Sequence, residues 1–458
     1  MSLEESRGRL KDFCYSQETK VLSQEIRELR TELRKQPKDK REEIQQHLEE
    51  LTLQYDERKR NEIAEVYHQV VHGKYHVVLR EVEAKGKEAY AVGDMASMLI
   101  SKFIALEIKN QYQLRPANRD EIVEELRVLL DNPMPKILIR ADIHHFYESI
   151  LQQGVLERIE EDDYLTSTSI RYLRKFFYEY NRLTNNQEHR GIPRGLSFSP
   201  ALAEIYLREL DRKVKNISGL YFYKRYVDDI VLLVNPNKIN VDDCWDAIQD
   251  IAESLSLTLH NNDDKIIKVG LPTDGNKPLS FNYLGYQFRY SNGHTELLLT
   301  EDKVKRYGDT IDCIFRAYAK VANHRSKDEH GKKHTDGLVQ FMHRVDALTG
   351  NGNLDSRRNF VKTGLFYSNR LLTNFSQLEK LDQYLSDALN DPERFSPPQN
   401  LFNYGKGNSY DENVNRIKEK ILTKYNFKTG FHDRRMYRWS DYVIVLKQLQ
   451  NLYYKSQQ

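Results

Sequence analysis

The strongest chemical signal in the sequence is a pair of adjacent aspartates, Asp228 and Asp229, which stand between the apolar runs LYFYKRY and IVLLV. These runs predict two strands joined at the acidic pair. Two neighbouring carboxylates at the tip of an apolar hairpin are costly unless a cation neutralises them. An Asp-Asp pair in an ordinary exposed turn would need no cation. The apolar strands on both sides instead favour a buried hairpin with the acids at its exposed edge.

A third carboxylate, Asp142, follows the apolar run that starts at Lys136. That run predicts a buried strand, so carboxylates from two strand ends could meet. Oxygen ligands of this kind suit Mg²⁺. Two such ions can activate a hydroxyl nucleophile and steady a leaving pyrophosphate. The pattern therefore predicts two-metal chemistry on phosphates at three aspartates, without a general base.

The three acids belong to a series of motifs in a fixed order: ADIHHFYESI, GIPRGLSFSP, YVDD, a lysine after LTL, and YLGY. The series resembles the successive motifs of reverse transcriptases over about residues 115–290. It is most similar to the bacterial branch: retron and group II intron enzymes, and above all the abortive-infection and other defence-associated "unknown group" members. Five ordered motifs are a far more specific signal than an isolated Tyr-x-Asp-Asp. The resemblance implies an RNA-directed DNA polymerase.

The resemblance also assigns roles to individual residues. Asp142, Asp228 and Asp229 are expected to be catalytic and, together with Ile143, to bind two Mg²⁺ ions, or Mn²⁺ in their place. Tyr147 resembles the aromatic gate that lies under the sugar and excludes a ribose 2′-hydroxyl. A preference for dNTPs over rNTPs is therefore implied.

Other substrate contacts implied by the resemblance have rivals. Phe146, next to Tyr147, is a second candidate for the aromatic gate. Arg119 matches an arginine that grips the triphosphate, although a surface arginine at a helix N-terminus would look the same. Lys265 resembles the motif lysine near the phosphate, and Lys268 is an alternative for that role.

The segment at residues 191–200 resembles the one that cradles the incoming base pair, where a glycine such as Gly195 lets backbone approach the nucleotide. Reverse transcriptases usually place glutamine after the proline of this motif, whereas this chain has Arg194. Arginine brings a charge and five hydrogen-bond donors. The departure is typical of defence-type members. It motivates the hypothesis that synthesis is template-restricted, protein-primed or template-independent.

The elements that must position these residues predict an α+β protein: a right-hand polymerase with an antiparallel palm sheet, fingers, and an all-α thumb and C-terminal region behind an N-terminal helical hairpin. Periodicity predicts helices over residues 94–112, 120–130, 155–181 and 241–256. FNYLGYQFRY is placed in the second arm of a strand hairpin. The predicted domains are an N-terminal helical hairpin at 1–74, fingers and palm at 75–300, the thumb at 301–390 and a C-terminal extension at 391–458.

The composition bears on whether the protein spans a membrane, is secreted or stays in the cytoplasm. The chain is 39% hydrophobic and 30% charged, with a mean hydropathy of −0.73. No run approaches the ~20 apolar residues that span a bilayer, and the N-terminal MSLEESRGRLKDF does not resemble a secretory signal. The three cysteines are far apart in sequence, which argues against a disulfide framework or a zinc knuckle and favours the cytoplasm.

The charge distribution favours a polyanionic partner. Residues 301–458 carry 27 Lys and Arg against 19 Asp and Glu, although a basic solvated surface without a ligand would look similar. The expected partners are dNTPs, an RNA template that could be a cognate non-coding RNA, the DNA product, and a second copy or a partner defence protein. The expected role is bacterial antiphage defence. The alternatives are a template-independent or protein-primed DNA synthase and an inactive nucleic-acid-binding scaffold.

Overall fold

The computed structural model describes residues 16–35, 41–84, 87–115, 117–262, 265–272, 278–323, 336–354, 361–397, 409–437 and 442–457. Within them the helices are α1 (Gln17–Lys35), α2 (Arg41–Val71), α3 (Met95–Gln111), α4 (Arg119–Leu130), α5 (Phe146–Ser149), α6 (Gln152–Asp162), α7 (Ser167–Thr184), α8 (Ser199–Val214), α9 (Val241–Glu253), α10 (Glu301–Asn323), α11 (Asp336–Thr349), α12 (Ser376–Asn390), α13 (Tyr410–Lys424), α14 (Phe427–His432) and α15 (Tyr442–Gln457).

The strands are β1 (Leu79–Ala84), β2 (Lys87–Val92), β3 (Lys136–His144), β4 (Leu220–Tyr226), β5 (Asp229–Val234), β6 (Thr258–Leu259), β7 (Ile267–Leu271), β8 (Leu279–Tyr283), β9 (Tyr286–Ser291), β10 (His294–Leu299), β11 (Asn351–Asn353) and β12 (Lys362–Gly364). Contacts divide the chain into two compact units. The first contains residues 1–117 and 136–270, and the second contains residues 118–135 and 271–458. The four domains inferred from the sequence stay a prediction.

The first unit begins with the N-terminal helical hairpin, in which α1 packs against α2. Ile26 of α1 and Leu51 of α2 are buried. The Thr19 hydroxyl donates a hydrogen bond to the Glu62 carboxylate at 2.7 Å. The two helices are therefore held by a narrow apolar contact and by polar contacts between them.

The centre of the first unit is a sheet with strand order β4-β5-β3-β6, in which β7 also pairs with β3. The strand β3 pairs antiparallel with both β5 and β6, and β5 pairs antiparallel with β4. Nearly every residue of β3 and β5 is buried. Their continuous apolar runs are typical of strands covered on both faces. One apolar cluster joins these strands to α3, α6, α7, α8 and α9. The strands that carry the aspartates therefore pack against a continuous core.

The boundaries of some elements differ from those predicted. The single helix predicted at 155–181 is two helices, because Asp163 has a left-handed backbone (φ +51°) that ends α6. The Thr166 side chain then accepts the Ser169 N–H and caps α7. The hairpin β1–β2 was not predicted. By contrast, α3 and α4 begin and end within one residue of the prediction.

The second unit contains the antiparallel sheet β8-β9-β10, against which α4 packs through β10. FNYLGYQFRY forms both β8 and β9, with the turn at Leu284 and Gly285 (φ +43° and +76°), so its placement in one arm of a hairpin was wrong. Among the described residues beyond 300, the regular elements are helices and the ribbon β11–β12, which the all-α prediction missed. The predicted α+β fold with an antiparallel central sheet is confirmed.

Along the part of the chain that the structure describes, none of the helices combines the length and the apolar character needed to cross a bilayer.

Candidate active site

Asp142 and Asp229 lie directly opposite each other in the antiparallel pairing of β3 with β5. Directly paired residues project from the same face of a sheet with their Cβ atoms roughly 5 Å apart. Asp228 precedes β5, and its carbonyl accepts a hydrogen bond from the Ile143 N–H at 3.2 Å. The strand register therefore brings the acids of two distant motifs together on one face of the sheet, where β5 begins. A backbone hydrogen bond joins Asp228 to Ile143.

Two cationic side chains neutralise this acidic pair. The Arg140 guanidinium makes a two-point contact with Asp229, at 3.0 Å from Nε and 2.9 Å from Nη2. The Lys265 ammonium forms an ion pair with Asp142. Arg140 was not predicted from the sequence. It precedes Asp142 by two positions in β3 and so projects from the same face, which is the signal that could have revealed it.

The pKa of the Asp229 carboxyl is raised by its surroundings. Burial raises its pKa, the ion pair with Arg140 lowers it without offsetting the burial, and the nearby Asp142 carboxylate adds to the rise. The site therefore disfavours bare negative charge and favours added positive charge.

The donor chemistry fits a divalent metal ion, since carboxylate oxygens are the ligands that Mg²⁺ prefers. Within the described ranges, no group of three or more His, Cys, Asp and Glu side chains is arranged to hold a metal ion. The convergence of all three aspartates on shared ions therefore stays a prediction.

The turn that carries Asp228 has an unusual backbone. Val227 has φ +60°, in the left-handed region that β-branched residues rarely enter. The Arg225 guanidinium donates to the Val227 carbonyl at 2.8 Å. It also forms ion pairs with Glu204 and Asp211, each at 2.8 Å. The turn is therefore tied to α8 through one buried arginine.

Sequence reasoning missed this network. The pattern that could have revealed it is an arginine that follows Lys224 in the largely apolar and aromatic strand β4, together with two acids of α8 that are seven residues apart and so share a helix face. Burial alone would lower the pKa of Arg225, but its hydrogen bonds to Asp211 and Glu204 outweigh that effect and raise it. The guanidinium therefore stays charged while it holds the turn.

Tyr147 and Phe146, the two candidates for the aromatic gate, have different surroundings. Phe146 is buried in the core, whereas Tyr147 is partly exposed, with its ring 5.2 Å from that of Phe146. Burial and, after it, the neighbouring Asp228 carboxylate raise the pKa of the Tyr147 phenol. Tyr147 is thus the aromatic that is close to the acids and reachable by a ligand.

Arg194 and Gly195 lie beside this tyrosine. The Arg194 guanidinium is 5.5 Å from the centre of the Tyr147 ring and forms an ion pair with Glu148 at 3.0 Å. Gly195 has φ +103°, and a Cβ there would lie 2.6 Å from the carbonyl oxygen of Tyr90 in β2. The loop at 191–200 therefore requires glycine for both its backbone conformation and its contact with β2.

The remaining candidates, two lysines and Arg119, have different surroundings. Lys265 reaches Asp142, whereas the Lys268 ammonium lies 4.5 Å from the centre of the Trp245 ring. Arg119 belongs to the second unit, at the start of α4. There its Nε donates to the Leu284 carbonyl at 2.7 Å. Lys265 is thus the lysine that contacts Asp142, and the choice between Lys265 and Lys268, like the role of Arg119 at the triphosphate, stays a prediction.

A comparison with known protein families gives one match. Residues 72–288, just under half of the chain, match the family model described as reverse transcriptase (RNA-dependent DNA polymerase). No curated protein sequence matches significantly. The matched segment contains β3, the β4–β5 turn and the loop at 191–200.

Similar solved structures include two Candida telomerases. The telomerase from Candida albicans in complex with a TWJ fragment of telomeric RNA has a TM-score of 0.37 and 10% identity over 82% of this chain and 64% of that chain. The apo telomerase from Candida tropicalis has a TM-score of 0.36 and 10% identity over 83% and 65%. The chain therefore spans less than two-thirds of the length of these telomerases.

Proposed function

We propose that this chain is an RNA-directed DNA polymerase that extends a DNA strand with dNTPs at Asp142, Asp228 and Asp229, which lie within the segment, residues 72–288, that matches the reverse transcriptase family model. The observation that carries the proposal is the direct cross-strand pairing of Asp142 with Asp229. This pairing joins the acids of two separate motifs on one face of the sheet, where a nucleotide and a primer end can meet.

Asp142, Asp228 and Asp229, with Ile143, would hold divalent cations, Mg²⁺ or Mn²⁺, and these would supply activation of the primer hydroxyl and neutralisation of the triphosphate. Two cationic side chains of the chain already contact these acids. Arg140 orients the Asp229 carboxylate through two hydrogen bonds. A fixed orientation lowers the cost of assembling the site.

The incoming nucleotide is selected by neighbours of the acids. The partly exposed ring of Tyr147 supports the deoxyribose, and a 2′-hydroxyl would meet the ring. Lys265, which contacts Asp142, is placed to bind a phosphate group. The loop at 191–200 packs on the segment that contains Tyr147, because the Ile192 N–H donates to the Tyr147 carbonyl at 2.9 Å. The base pair is expected to rest on this loop.

The proposed setting is bacterial antiphage defence in the cytoplasm, with a cognate non-coding RNA as template and a second copy or a defence protein as partner. Its support is the resemblance of the motif series, including Arg194, to defence-associated reverse transcriptases. The buried thiols of Cys244 and Cys313 suit a reducing compartment.

The polymerase assignment is tested with Asp228→Asn/Asp229→Asn. We expect dNTP incorporation on a primed RNA to fall roughly 10³-fold or more, while the protein stays folded and still binds RNA. The matched control is Asp246→Asn/Asp250→Asn, which removes the same charge from exposed positions of α9. Equal incorporation by both double variants would refute the assignment.

The same variants test the biological role. In cells challenged with phage, protection should disappear with Asp228→Asn/Asp229→Asn and persist with the α9 control. Protection that survives loss of the acids would indicate a nucleic-acid-binding scaffold instead of a defence polymerase.

A second candidate function is DNA synthesis that is template-independent or protein-primed. It is favoured by the position of Arg194 beside the Tyr147 ring, where a charged fork of donors could hold a nucleotide without a templating base. Each dNTP is supplied alone and in pairs, with and without RNA. Ordinary templated extension on any primed RNA, with none in its absence, would exclude this alternative.

A further inference from the structure

The first unit carries a basic groove on α7 that the polymerase site does not use. It has an open volume of about 570 Å³ and is lined by Ser167, Ile170, Arg171, Arg174, Lys175 and Tyr178. We call it the α7 groove. Its charged and aromatic residues recur at helical spacing, so they form one continuous face of α7. The N-terminus of α7 is already capped by Thr166, so the groove is defined by side chains and not by the helix end.

Two cations of the α7 groove have no carboxylate partner among the described residues. Arg171 donates only to the Thr168 hydroxyl, at 3.3 Å. Lys175 donates to the backbone carbonyls of Gly73 and Tyr75, at 2.8 and 2.7 Å. Burial and, after it, the nearby Arg171 lower the pKa of Lys175. Arg174, the third cation of the groove, pairs with Glu160. The positive charge that the described carboxylates leave uncompensated is therefore that of Arg171 and Lys175.

The cations are held in place by the backbone beside them. Gly73 has φ +67°, and a Cβ there would lie 2.5 Å from the Arg171 guanidinium. The Lys175 ammonium also lies 5.2 Å from the centre of the buried Tyr172 ring. Preformed cations lose little conformational freedom when an anion binds, which distinguishes this groove from a scatter of mobile surface lysines.

The groove also offers a flat aromatic surface. Tyr178 is 71% exposed and is one helical turn beyond Arg174 and Lys175, with the apolar side chain of Ile170 on the same lining. A basic track interrupted by an exposed ring is the arrangement that binds single-stranded nucleic acid, because phosphates meet the cations and bases stack on the ring. An acidic protein segment would use the charge but would leave the ring without a partner.

We propose that the α7 groove is a second nucleic-acid site, which binds a single-stranded segment of RNA away from the aspartates. The proposal rests on the proposed function, since a polymerase with a cognate RNA needs a contact that holds the RNA outside the templating position. The groove binds through phosphate neutralisation by Arg171 and Lys175 and through stacking on Tyr178. It recognises a single strand and discriminates against duplex.

The test measures binding of a fluorescein-labelled single-stranded RNA to the full-length chain over a series of salt concentrations. Arg171→Gln should reduce the slope of log affinity against log salt by about 0.7, the value for one phosphate contact on a single strand. Tyr178→Ala should weaken binding by roughly 5- to 150-fold at fixed salt, as loss of one stacked base predicts. A 4-thiouridine probe should crosslink to the peptide that contains Tyr178.

The matched control is Glu179→Gln/Arg182→Gln, which removes an ion pair of 2.6 Å from the same helix without a change in net charge. This variant should bind the probe like the wild type. Wild-type slope and affinity in both Arg171→Gln and Tyr178→Ala would overturn the proposal. So would loss of self-association by these variants with unchanged RNA binding, because the groove would then hold a second copy of the chain.

Primer extension separates this inference from the polymerase assignment. On a short primed RNA that cannot reach α7, Arg171→Gln should extend as the wild type does. If Arg171→Gln and Tyr178→Ala both bind RNA normally while the aspartate variant loses synthesis, the groove proposal fails and the polymerase stands. The reverse result would leave an RNA-binding groove on a protein that is not a polymerase.

Discussion

The guanidinium of Arg225 donates a hydrogen bond to the carbonyl of Val227, two residues further along the chain, with 2.8 Å between Nη1 and O. Val227 has φ +60°, a conformation that costs a non-glycine residue about 1–2 kcal/mol. Arg225 is itself anchored by Glu204 and Asp211 of α8. The helix α8 therefore holds, through one side chain, the strained turn from which Asp228 projects.

Arg225→Gln should destabilise the fold by about 2 kcal/mol, because two partly buried carboxylates lose their cation, and should slow dNTP incorporation. Adding Val227→Gly should recover roughly 5- to 30-fold in rate, since glycine adopts the left-handed turn without the strain. Primer extension and thermal unfolding are measured on the single and double variants. Arg212→Gln, which removes an exposed arginine of α8 paired with Glu209, is the control. A double variant no faster than Arg225→Gln would show that the turn does not need the clamp.

Gly195→Ala should destabilise the first unit by about 2 kcal/mol or more. The residue has φ +103°, and its new Cβ would lie 2.6 Å from the Tyr90 carbonyl oxygen. Gly270→Ala is the matched control, because a Cβ there meets nothing within 4 Å. It should be neutral or slightly stabilising. Urea unfolding of both variants measures the difference, and equal stabilities would contradict the close contact with β2.

Tyr147→Ala should reduce the preference for dNTPs over rNTPs by roughly 10- to 200-fold, the range expected when a small steric contact is removed. The reason is that the ring would no longer meet the 2′-hydroxyl. Phe146→Leu should instead lower stability and leave the preference unchanged, because Phe146 is buried. Competition between dNTP and rNTP in single-nucleotide extension measures the ratio. A larger change with Phe146→Leu would exchange the two roles.

Lys265→Ala should lower kcat/KM for dNTPs by roughly 10-fold or more, since its ammonium contacts Asp142, the proposed metal ligand, and a charge-assisted contact contributes about 1.5–3 kcal/mol. Lys268→Ala should change kcat/KM less than 2-fold, because its ammonium rests on the Trp245 ring. Steady-state extension with each variant distinguishes the two lysines. A larger loss with Lys268→Ala would reverse the assignment.

The second unit should become more stable as the pH rises from about 8 towards 10.5. Burial, followed by repulsion from Arg119 and Arg306, lowers the pKa of Lys303 from 10.5 to about 8. Between these values the unfolded chain binds the proton that the folded chain has released, so folding is favoured as pH increases. The gain should be less than about 3 kcal/mol.

Chemical unfolding at several pH values checks this expectation. Lys303→Met should remove the increase, whereas Lys305→Met, which changes an exposed lysine two residues away, should keep it. An increase of the same size in Lys303→Met would mean that another group is responsible.

Much of the fold and of the site could be predicted because the relevant information is local. The apolar runs around Asp142 and around the Asp228–Asp229 pair predicted buried strands, and both strands are present. Asp94 and Pro200 marked the starts of α3 and α8. Contacts between elements that are far apart in the sequence were harder to predict. Residues 118–135 join the second unit because α4 packs on β10, and no local pattern indicates that contact.

The sequence by itself determined which residue types are available and in what order: three aspartates, an aromatic after the first of them, a glycine loop and a lysine. Only the tertiary structure decided which of these meet. The register of β3 with β5 places Asp142 against Asp229, and a slip of one residue would turn one of them to the other face. Packing likewise placed Lys265 against Asp142 and Lys268 over the Trp245 ring. It also brought Arg140 to Asp229 and Arg225 to α8, because a buried charge must find its partner in space and not along the chain.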